Sequence, residues 1–123
     1  MYLLDTHTLL WASGQPEQLS NPVREILLDS ENVVYVSMVT LWELSIKQSI
    51  GKLTLPEVFF SRIFETGYSR LDITETHLSR YRALPLFHRD PFDRLLVAQA
   101  QSEDLILLSR DAHVQAYHVR TRW

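Results

Sequence analysis

Short apolar runs alternate along the chain with segments in which apolar residues recur every three or four positions. The runs at residues 2–4, 33–36 and 105–108 are apolar or β-branched and predict buried strands. Residues 68–73 predict a weaker strand, and residues 118–121 are a candidate for a last edge strand. Strands that alternate with amphipathic helices are typical of βαβ units, in which a parallel sheet lies between two layers of helices.

The helical spacing predicts helices between these strands, and several have recognisable start or stop residues. Ser20 or Asn21 precedes Pro22 as a helix start, and Gly14 and Gly51 are stop signals. The predicted helices are residues 6–14, the segment after Ser20 or Asn21, residues 38–50, Pro56 through Phe64, Thr74 to Pro85 and the segment from Pro91, with a short helix as a candidate after Asp111. The predicted fold class is therefore α/β, a three-layer α/β/α sandwich with a central parallel sheet, in a single domain over residues 1–123.

The segment after Pro56 carries more aromatic residues than one small core needs. Phe59 and Phe60 are consecutive, and consecutive residues cannot both face inward on one amphipathic helix. We therefore expect at least one of them on an exposed apolar patch, which usually marks an interface. Trp11 and Trp42 are interpreted as core or interface aromatics.

Composition narrows the class of protein. The chain has 123 residues, 46% of them apolar, few Gly and Pro, and a net charge of -3, which indicates a globular domain and argues against a basic nucleic-acid coat protein. It has no cysteine, so disulfides, thiol catalysis and Cys-zinc sites are excluded, and a reducing cytoplasm is expected. No signal-peptide pattern or run of about 20 apolar residues is present, so no membrane association is expected.

Acidic residues follow the predicted strands. Asp5 comes directly after the first strand, Asp111 shortly after the strand at 105–108, and Glu43 lies in the helix after the second strand. Because ligands of parallel sheets bind beyond the carboxyl ends of the strands, we expect these three acids at the same edge. Asp90 and Asp93 open the helix that precedes the last buried strand, and the fold rule alone leaves their edge open.

Each acid also has a purely structural interpretation. Asp5, Asp90 and Asp111 could cap helices, and Asp93 would suit the first turn of its helix. Several acids near strand ends, in a chain without Cys or a His pair at ligand spacing, nevertheless favour Mg²⁺ or Mn²⁺, which take oxygen ligands. Crowded carboxylates repel one another unless a cation neutralises them.

The histidines give weaker indications. His7 is either a partner of Asp5 or an ordinary helix-face residue, and His88 is expected in an exposed loop. The remaining histidines, His77, His113 and His118, follow no pattern.

Three longer stretches make the chain recognisable. They are "YLLDTHTLLW", "VSMVTLWELSIKQSIGKL" and "HRDPFDRLLVAQAQSEDLILLSRD", in this order and at spacings that together span essentially the whole chain. In these stretches the chain resembles the PIN-domain proteins, and among them the VapC-type toxins of prokaryotic toxin–antitoxin pairs.

The resemblance implies a fold, an activity and partners. It implies an α/β/α sandwich, metal-dependent endonucleolytic cleavage of RNA, and an active site of four acids that fall on Asp5, Glu43, Asp93 and Asp111. One or two Mg²⁺ or Mn²⁺ ions would lie among them and activate the attacking water. Asp90 belongs to the same signature and would either contribute a ligand or cap the helix. A cognate antitoxin and a homodimer are also implied.

Other residues are candidates for contacts with the RNA. The cations near the acids are Lys47, Lys52, Arg89 and Arg94. They could bind phosphates or be solvated surface side chains, and Lys47 could simply pair with Glu43 four residues earlier. Ser109 stands where the family often has a small hydroxyl residue before the last acid.

Two other classes of protein compete with a nuclease. A phosphatase of the haloacid-dehalogenase type also begins with an aspartate after a strand, but it needs a second aspartate where this chain has His7. A non-catalytic interaction module of the same fold is the other alternative, and the loss of an acid from the set of four would have favoured it. All four acids are present.

Overall fold

The computed structural model describes all 123 residues and contains one five-stranded parallel sheet. Its strands are β1 (Tyr2–Leu4), β2 (Val34–Ser37), β3 (Ser69–Leu71), β4 (Ile106–Leu108) and β5 (Thr121–Arg122), in the spatial order β3-β2-β1-β4-β5. All four strand pairs are parallel, which confirms the predicted sheet. None of the helices has the length and apolar character that a membrane span requires.

Six α-helices connect and cover the strands. They are α1 (Thr6–Gly14), α2 (Asn21–Leu28), α3 (Met38–Ser49), α4 (Phe59–Arg62), α5 (Glu75–Ala83) and α6 (Pro91–Glu103), with 3₁₀ turns at Pro16–Gln18, Ile63–Thr66 and Val114–Ala116. The predicted starts are confirmed where a side chain caps the helix: Ser20 accepts from the Val23 amide, and Thr74 accepts from the His77 amide. Gly51, which follows α3, has a φ of 75°, a backbone conformation that glycine adopts without strain.

The core has two halves because side chains alternate across the strands. Leu3 of β1 and Leu107 of β4 pack with the buried face of α6, whereas Leu4 and Leu108 pack with residues of α1 and α2. Successive strand residues point to opposite faces, so each central strand contributes to both halves. This arrangement is the predicted three-layer sandwich.

The segment from Pro56 through Phe64 differs from the prediction. It contains only the four-residue helix α4 followed by a 3₁₀ turn, instead of one continuous amphipathic helix. A helix this short keeps no constant apolar face, and Phe59 and Phe60 are both partly buried against the core, with ring centroids 5.4 Å apart. The expectation that one of them lies on an exposed patch is therefore wrong.

The last strand also differs in position. The edge strand expected at residues 118–121 begins only at Thr121 and has two residues. Its pairing with Leu107 and Leu108 of β4 completes one side of the sheet.

The strand order creates the crevice in which a ligand would bind. The chain moves outward from β1 to β2 and β3, and then returns to the other side of β1 to form β4. The connections after β1 and β4 therefore diverge at the carboxyl edge of the sheet, which is where parallel α/β sheets bind their ligands.

Candidate active site

Asp5 lies at the carboxyl end of β1 and is buried, with 8% of its surface exposed. It is the N-cap of α1: its Oδ1 accepts hydrogen bonds from the Thr8 amide at 2.8 Å and from the Thr8 hydroxyl at 2.6 Å. The same hydroxyl oxygen lies 2.9 Å from the carbonyl oxygen of Leu108, at the end of β4, so these two acceptors share its single proton. The carboxylate is thus held by neutral donors between two adjacent strand ends, and its Oδ2 receives no hydrogen bond from the protein.

Glu43 lies one and a half turns into α3 and is also buried. Its Oε1 accepts a 2.6 Å hydrogen bond from the hydroxyl of Thr6, the first residue of α1, which also contacts the hydroxyl of Thr40 at 3.3 Å. Its Oε2 pairs with Lys47 Nζ at 3.1 Å, the predicted contact between residues four apart on one helix. The Thr6 hydrogen bond fixes the Glu43 carboxylate relative to α1, the helix that Asp5 caps.

Asp90 and Asp93 lie at the carboxyl edge, which resolves the question that the sequence left open. Asp104 adopts a left-handed conformation (φ 54°) directly after α6, and β4 begins two residues later. The end of α6 therefore lies at the edge of the sheet where β4 begins. The first turn of α6, with Asp90 and Asp93, lies at the other edge, where the strands end. Asp90 caps this helix through Oδ1, which accepts from the Phe92 amide at 2.8 Å and the Asp93 amide at 3.2 Å.

The electrostatics of Asp93 indicate that the acids converge. The pKa of Asp93 is raised from 3.8 to about 6: burial is the largest cause, a hydrogen bond with His88 acts in the opposite direction, and the nearby charges of Asp90, Glu43 and Asp111 add to the rise. These neighbours come from three different parts of the chain. Three of the four acids that the sequence singles out therefore share one electrostatic environment.

Asp111 completes the site from the loop after β4. Its amide donates to the Oγ of the fully buried Ser109 at 3.1 Å, and its Oδ1 accepts from the His113 amide at 2.9 Å. Asp5 and Asp111 line one cleft of about 400 Å³, together with His7, Trp11, Arg110 and Ala112. Ser109 thus stabilises the loop that carries Asp111.

A comparison with known protein families identifies the family to which the chain belongs. The family model of the PIN domain matches residues 2–119. The chain belongs to the PIN domain family.

Three solved structures share the fold of this PIN domain. VapBC2 from Rickettsia felis, bound to a DNA fragment from its promoter, has 18% identity and a TM-score of 0.76, and the match covers 99% of this chain and 98% of that one. FitAcB from Neisseria gonorrhoeae has 21% identity, a TM-score of 0.70 and coverages of 98% and 96%. DNA-bound VapBC from Salmonella typhimurium has 17% identity, a TM-score of 0.69 and the same coverages. No curated protein matches the chain by sequence.

Two histidines that the sequence did not indicate as site residues contact the acids of this PIN domain. His88 was expected in an exposed loop, but it is half-buried and its Nε2 lies 2.9 Å from Asp93 Oδ2. His113 Nδ1 lies 3.1 Å from Asp111 Oδ1, and the two imidazole rings stack with centroids 4.9 Å apart. The two histidines are 25 positions apart in the sequence, so no local spacing could indicate their contact.

The cations expected to contact phosphates divide into two groups. Lys47 is engaged by Glu43, and the Arg94 guanidinium lies 4.5 Å from the centre of the Tyr81 ring and donates to the Leu84 carbonyl. Lys52 and Arg89 are exposed.

Sequence analysis missed Arg110, which lies beside Asp111. Its guanidinium is 4.3 Å from the centre of the Trp11 ring, in the wall of the cleft that holds Asp5 and Asp111. A cation stacked on an aromatic ring at this position can face a phosphate while its side chain remains ordered.

The donor set of the PIN domain fits a hard divalent cation. The acids offer carboxylate oxygens, which Mg²⁺ and Mn²⁺ prefer, and a bound ion would relieve the repulsion that raises the pKa of Asp93. Among these carboxylates, ligand atoms of Asp90 and Asp93 lie within 4.8 Å of each other and of His88.

Proposed function

We propose that this PIN domain is a Mg²⁺- or Mn²⁺-dependent endoribonuclease and the toxin of a toxin–antitoxin pair. The observation that carries the proposal is the convergence of Glu43, Asp93 and Asp111, which lie close enough for their charges to raise the pKa of Asp93. Asp5 lines the same cleft as Asp111. Membership of a nuclease family, with every acid of the resemblance present, agrees with this chemistry.

In this proposal the four carboxylates hold the ion or ions, and neutral hydrogen bonds hold the carboxylates. Asp5 and Glu43 are fixed through Thr8 and Thr6, so they need not reorganise when an ion binds. Asp90 acts mainly as the cap of α6, because its Oδ1 already accepts two amide hydrogen bonds. An ion held by these carboxylates would supply the Lewis-acid chemistry that hydrolysis of a phosphodiester requires.

The RNA would approach along the wall formed by Trp11 and Arg110. The Arg110 guanidinium offsets the negative charge of the acids for an incoming phosphate. Lys52 and Arg89 are exposed and could extend this contact, whereas Lys47 is committed to Glu43.

An antitoxin would bind at the apolar rim beside the acids. Trp42 is adjacent to Glu43 in α3 and packs edge-on against Phe92, and Trp42, Leu86 and Phe87 are 55%, 73% and 57% exposed. Apolar side chains at this density usually mark an interface. The structural neighbours include VapBC complexes, which supports an antitoxin partner. We expect this partner to cover the rim and to direct a basic side chain towards the carboxylates.

The proposal is tested by replacing Asp5 with asparagine, which caps helices as well as aspartate does. We expect Asp5→Asn to abolish Mg²⁺- or Mn²⁺-dependent cleavage of single-stranded RNA while the circular dichroism spectrum stays that of the wild type. The matched control is Asp72→Asn, which removes an exposed carboxylate paired with Arg70 away from the cleft. Undiminished cleavage by Asp5→Asn would refute the assignment. Wild-type protein that cleaves no RNA but binds an antitoxin would instead favour a non-catalytic module.

A further inference from the structure

The structure contains a second kind of metal-ligand cluster beside the carboxylates, built from imidazole nitrogens. Ligand atoms of His88, Asp111 and His113 all lie within 4.8 Å of one another. We propose that His88, Asp111 and His113 bind a first-row transition ion of the Zn²⁺, Co²⁺ or Ni²⁺ class, at a site that adjoins the acidic cluster and shares Asp111 with it.

The first argument is the chemistry of the donors. Mg²⁺ prefers oxygen ligands, whereas imidazole nitrogen suits Zn²⁺, Co²⁺ and Ni²⁺, which bind a mixed nitrogen–oxygen site more tightly than Mn²⁺ does. Two imidazoles and a carboxylate leave further positions for water, as in open zinc sites. An acidic cluster alone would not discriminate in this way, so the two nitrogens define a different ion preference.

The second argument is geometric. Two ligand atoms that each lie about 2.1 Å from one ion are about 3.0–3.4 Å apart when they subtend about 90–110°. Within the proposed site, His113 Nδ1 and Asp111 Oδ1 are 3.1 Å apart, which is the separation of neighbouring ligands. A ligand atom of His88 lies within 4.8 Å of both residues, so a small side-chain movement suffices to bring it within reach of the same ion.

The third argument concerns how the ligands are held. His88 also donates its backbone amide to the Tyr117 hydroxyl at 3.1 Å, and its ring stacks on that of His113 at an interplanar angle of 12°. Because a ring nitrogen binds an ion in the plane of its ring, the two stacked rings must tilt relative to each other, and the side chain of His113, which is 69% exposed, has the room to do so. One half-buried and one exposed imidazole, with a carboxylate between them, is an arrangement that a metal ion can close.

The consequence for catalysis rests on the proposed function. An ion held by the histidines would engage Asp111 and withdraw its oxygen from the acidic cluster. Zn²⁺ at this site should therefore compete with Mg²⁺-dependent cleavage. The test of the site is made without RNA, so that its outcome does not depend on the nuclease activity.

The experiment is calorimetric titration of the metal-free full chain with Zn²⁺ in the presence of saturating Mg²⁺. We expect one Zn²⁺ per chain, and at least about tenfold weaker binding in His88→Ala and in His113→Ala, because even loss of a residue behind the ligands commonly costs 10–100-fold. His118→Ala is the matched control, since His118 is an exposed histidine away from this cluster. Equal affinity in wild type, His88→Ala and His113→Ala would overturn the proposal, as would an equal loss in His118→Ala.

A second readout needs no substitution and so does not depend on the folding of a variant. Paramagnetic Co²⁺ added to the wild-type protein at one equivalent should broaden the imidazole NMR signals of His88 and His113 and leave those of His118 sharp. Broadening of all exposed histidines alike would mean that the ion binds non-specifically, and would contradict a defined site.

Discussion

Replacing Asp93 with asparagine should stabilise the metal-free protein at neutral pH while abolishing its activity. The pKa of this carboxyl rises from 3.8 to about 6, mainly because it is buried and in smaller part because three carboxylates lie nearby. Without a cation, the folded state at pH 7.5 therefore contains a charge that would be better solvated in the unfolded chain. Asparagine keeps the shape of the side chain and removes the charge.

The magnitude follows from the shift in pKa. A difference of about 2 units between the folded and the unfolded state corresponds to about 3 kcal/mol at pH values above both. This shift is already net of the hydrogen bond with His88 Nε2 at 2.9 Å, and the 22% exposure of the Asp93 side chain reduces the gain through solvent screening. We therefore expect Asp93→Asn to raise the free energy of unfolding by about 1–3 kcal/mol, or the melting temperature by about 4–12 °C.

The pH dependence distinguishes this mechanism from a general packing effect. The pKa of Asp93 is about 6 in the folded state and 3.8 in the unfolded state. Between these pH values the carboxyl is mostly protonated in the folded protein and mostly ionised in the unfolded chain. The penalty is thus absent below 3.8, grows as the pH rises through this window and is complete above about 6. The stability difference between Asp93→Asn and wild type should therefore be large at pH 7.5 and mostly lost at pH 4.

The assay is urea denaturation of both proteins in EDTA at the two pH values, followed by titration with Mg²⁺. Mg²⁺ should stabilise wild type more than Asp93→Asn, because the ion neutralises the charge that the variant lacks. Asp72→Asn is the control and should change stability by less than about 0.5 kcal/mol, since its ion pair with Arg70 is exposed. A variant that is less stable than wild type at pH 7.5, or a gap that does not change with pH, would refute the reasoning.

Two further predictions concern the helix cap and the assembly of the chain. Asp90→Ser keeps a capping oxygen but removes the charge, so RNA cleavage should survive far better than in Asp93→Ser; equal and complete loss in cleavage assays of both would make Asp90 a metal ligand. The isolated chain should be a homodimer at high micromolar concentration because exposed apolar side chains such as Ile50, at 60% exposure, remain to be covered, and light scattering that gives the mass of one chain would contradict this.

Local chemistry explains which parts of the fold were predictable. Tyr2–Leu4 and Ile106–Leu108 are short apolar runs with turn or cap residues at their ends, and they form the two central strands of the site. The segment from Pro56 through Phe64 has apolar residues at helical spacing, but the same spacing suits a chain that wraps irregularly over the core. An edge strand was predicted at residues 118–121, but its position at Thr121 and Arg122 is set by pairing with β4, which the local sequence does not encode.

The rule that ligands bind at the carboxyl ends of parallel strands predicted the edge of some acids and not of others. Asp5 and Asp111 follow strands directly, and the carboxyl ends of parallel strands meet at one edge. The edge of Asp93 depends instead on the direction of α6, which is set by the tight turn at Asp104 into β4. The contacts of His88 and His113 depend on two loops meeting in space, which no spacing within either loop encodes.

The hydrogen bonds of the site favour the proposed metal centre over a structural network of ion pairs. A network that only stabilised the fold would pair its carboxylates with lysines or arginines, yet of the four acids only Glu43 contacts one, Lys47. Asp5 is held by the amide and hydroxyl of Thr8, and Glu43 is oriented by the hydroxyl of Thr6. Neutral donors fix the positions of the oxygens without cancelling their charge. The negative charge is therefore left for a cation from solution, at the cost of stability that Asp93→Asn would recover.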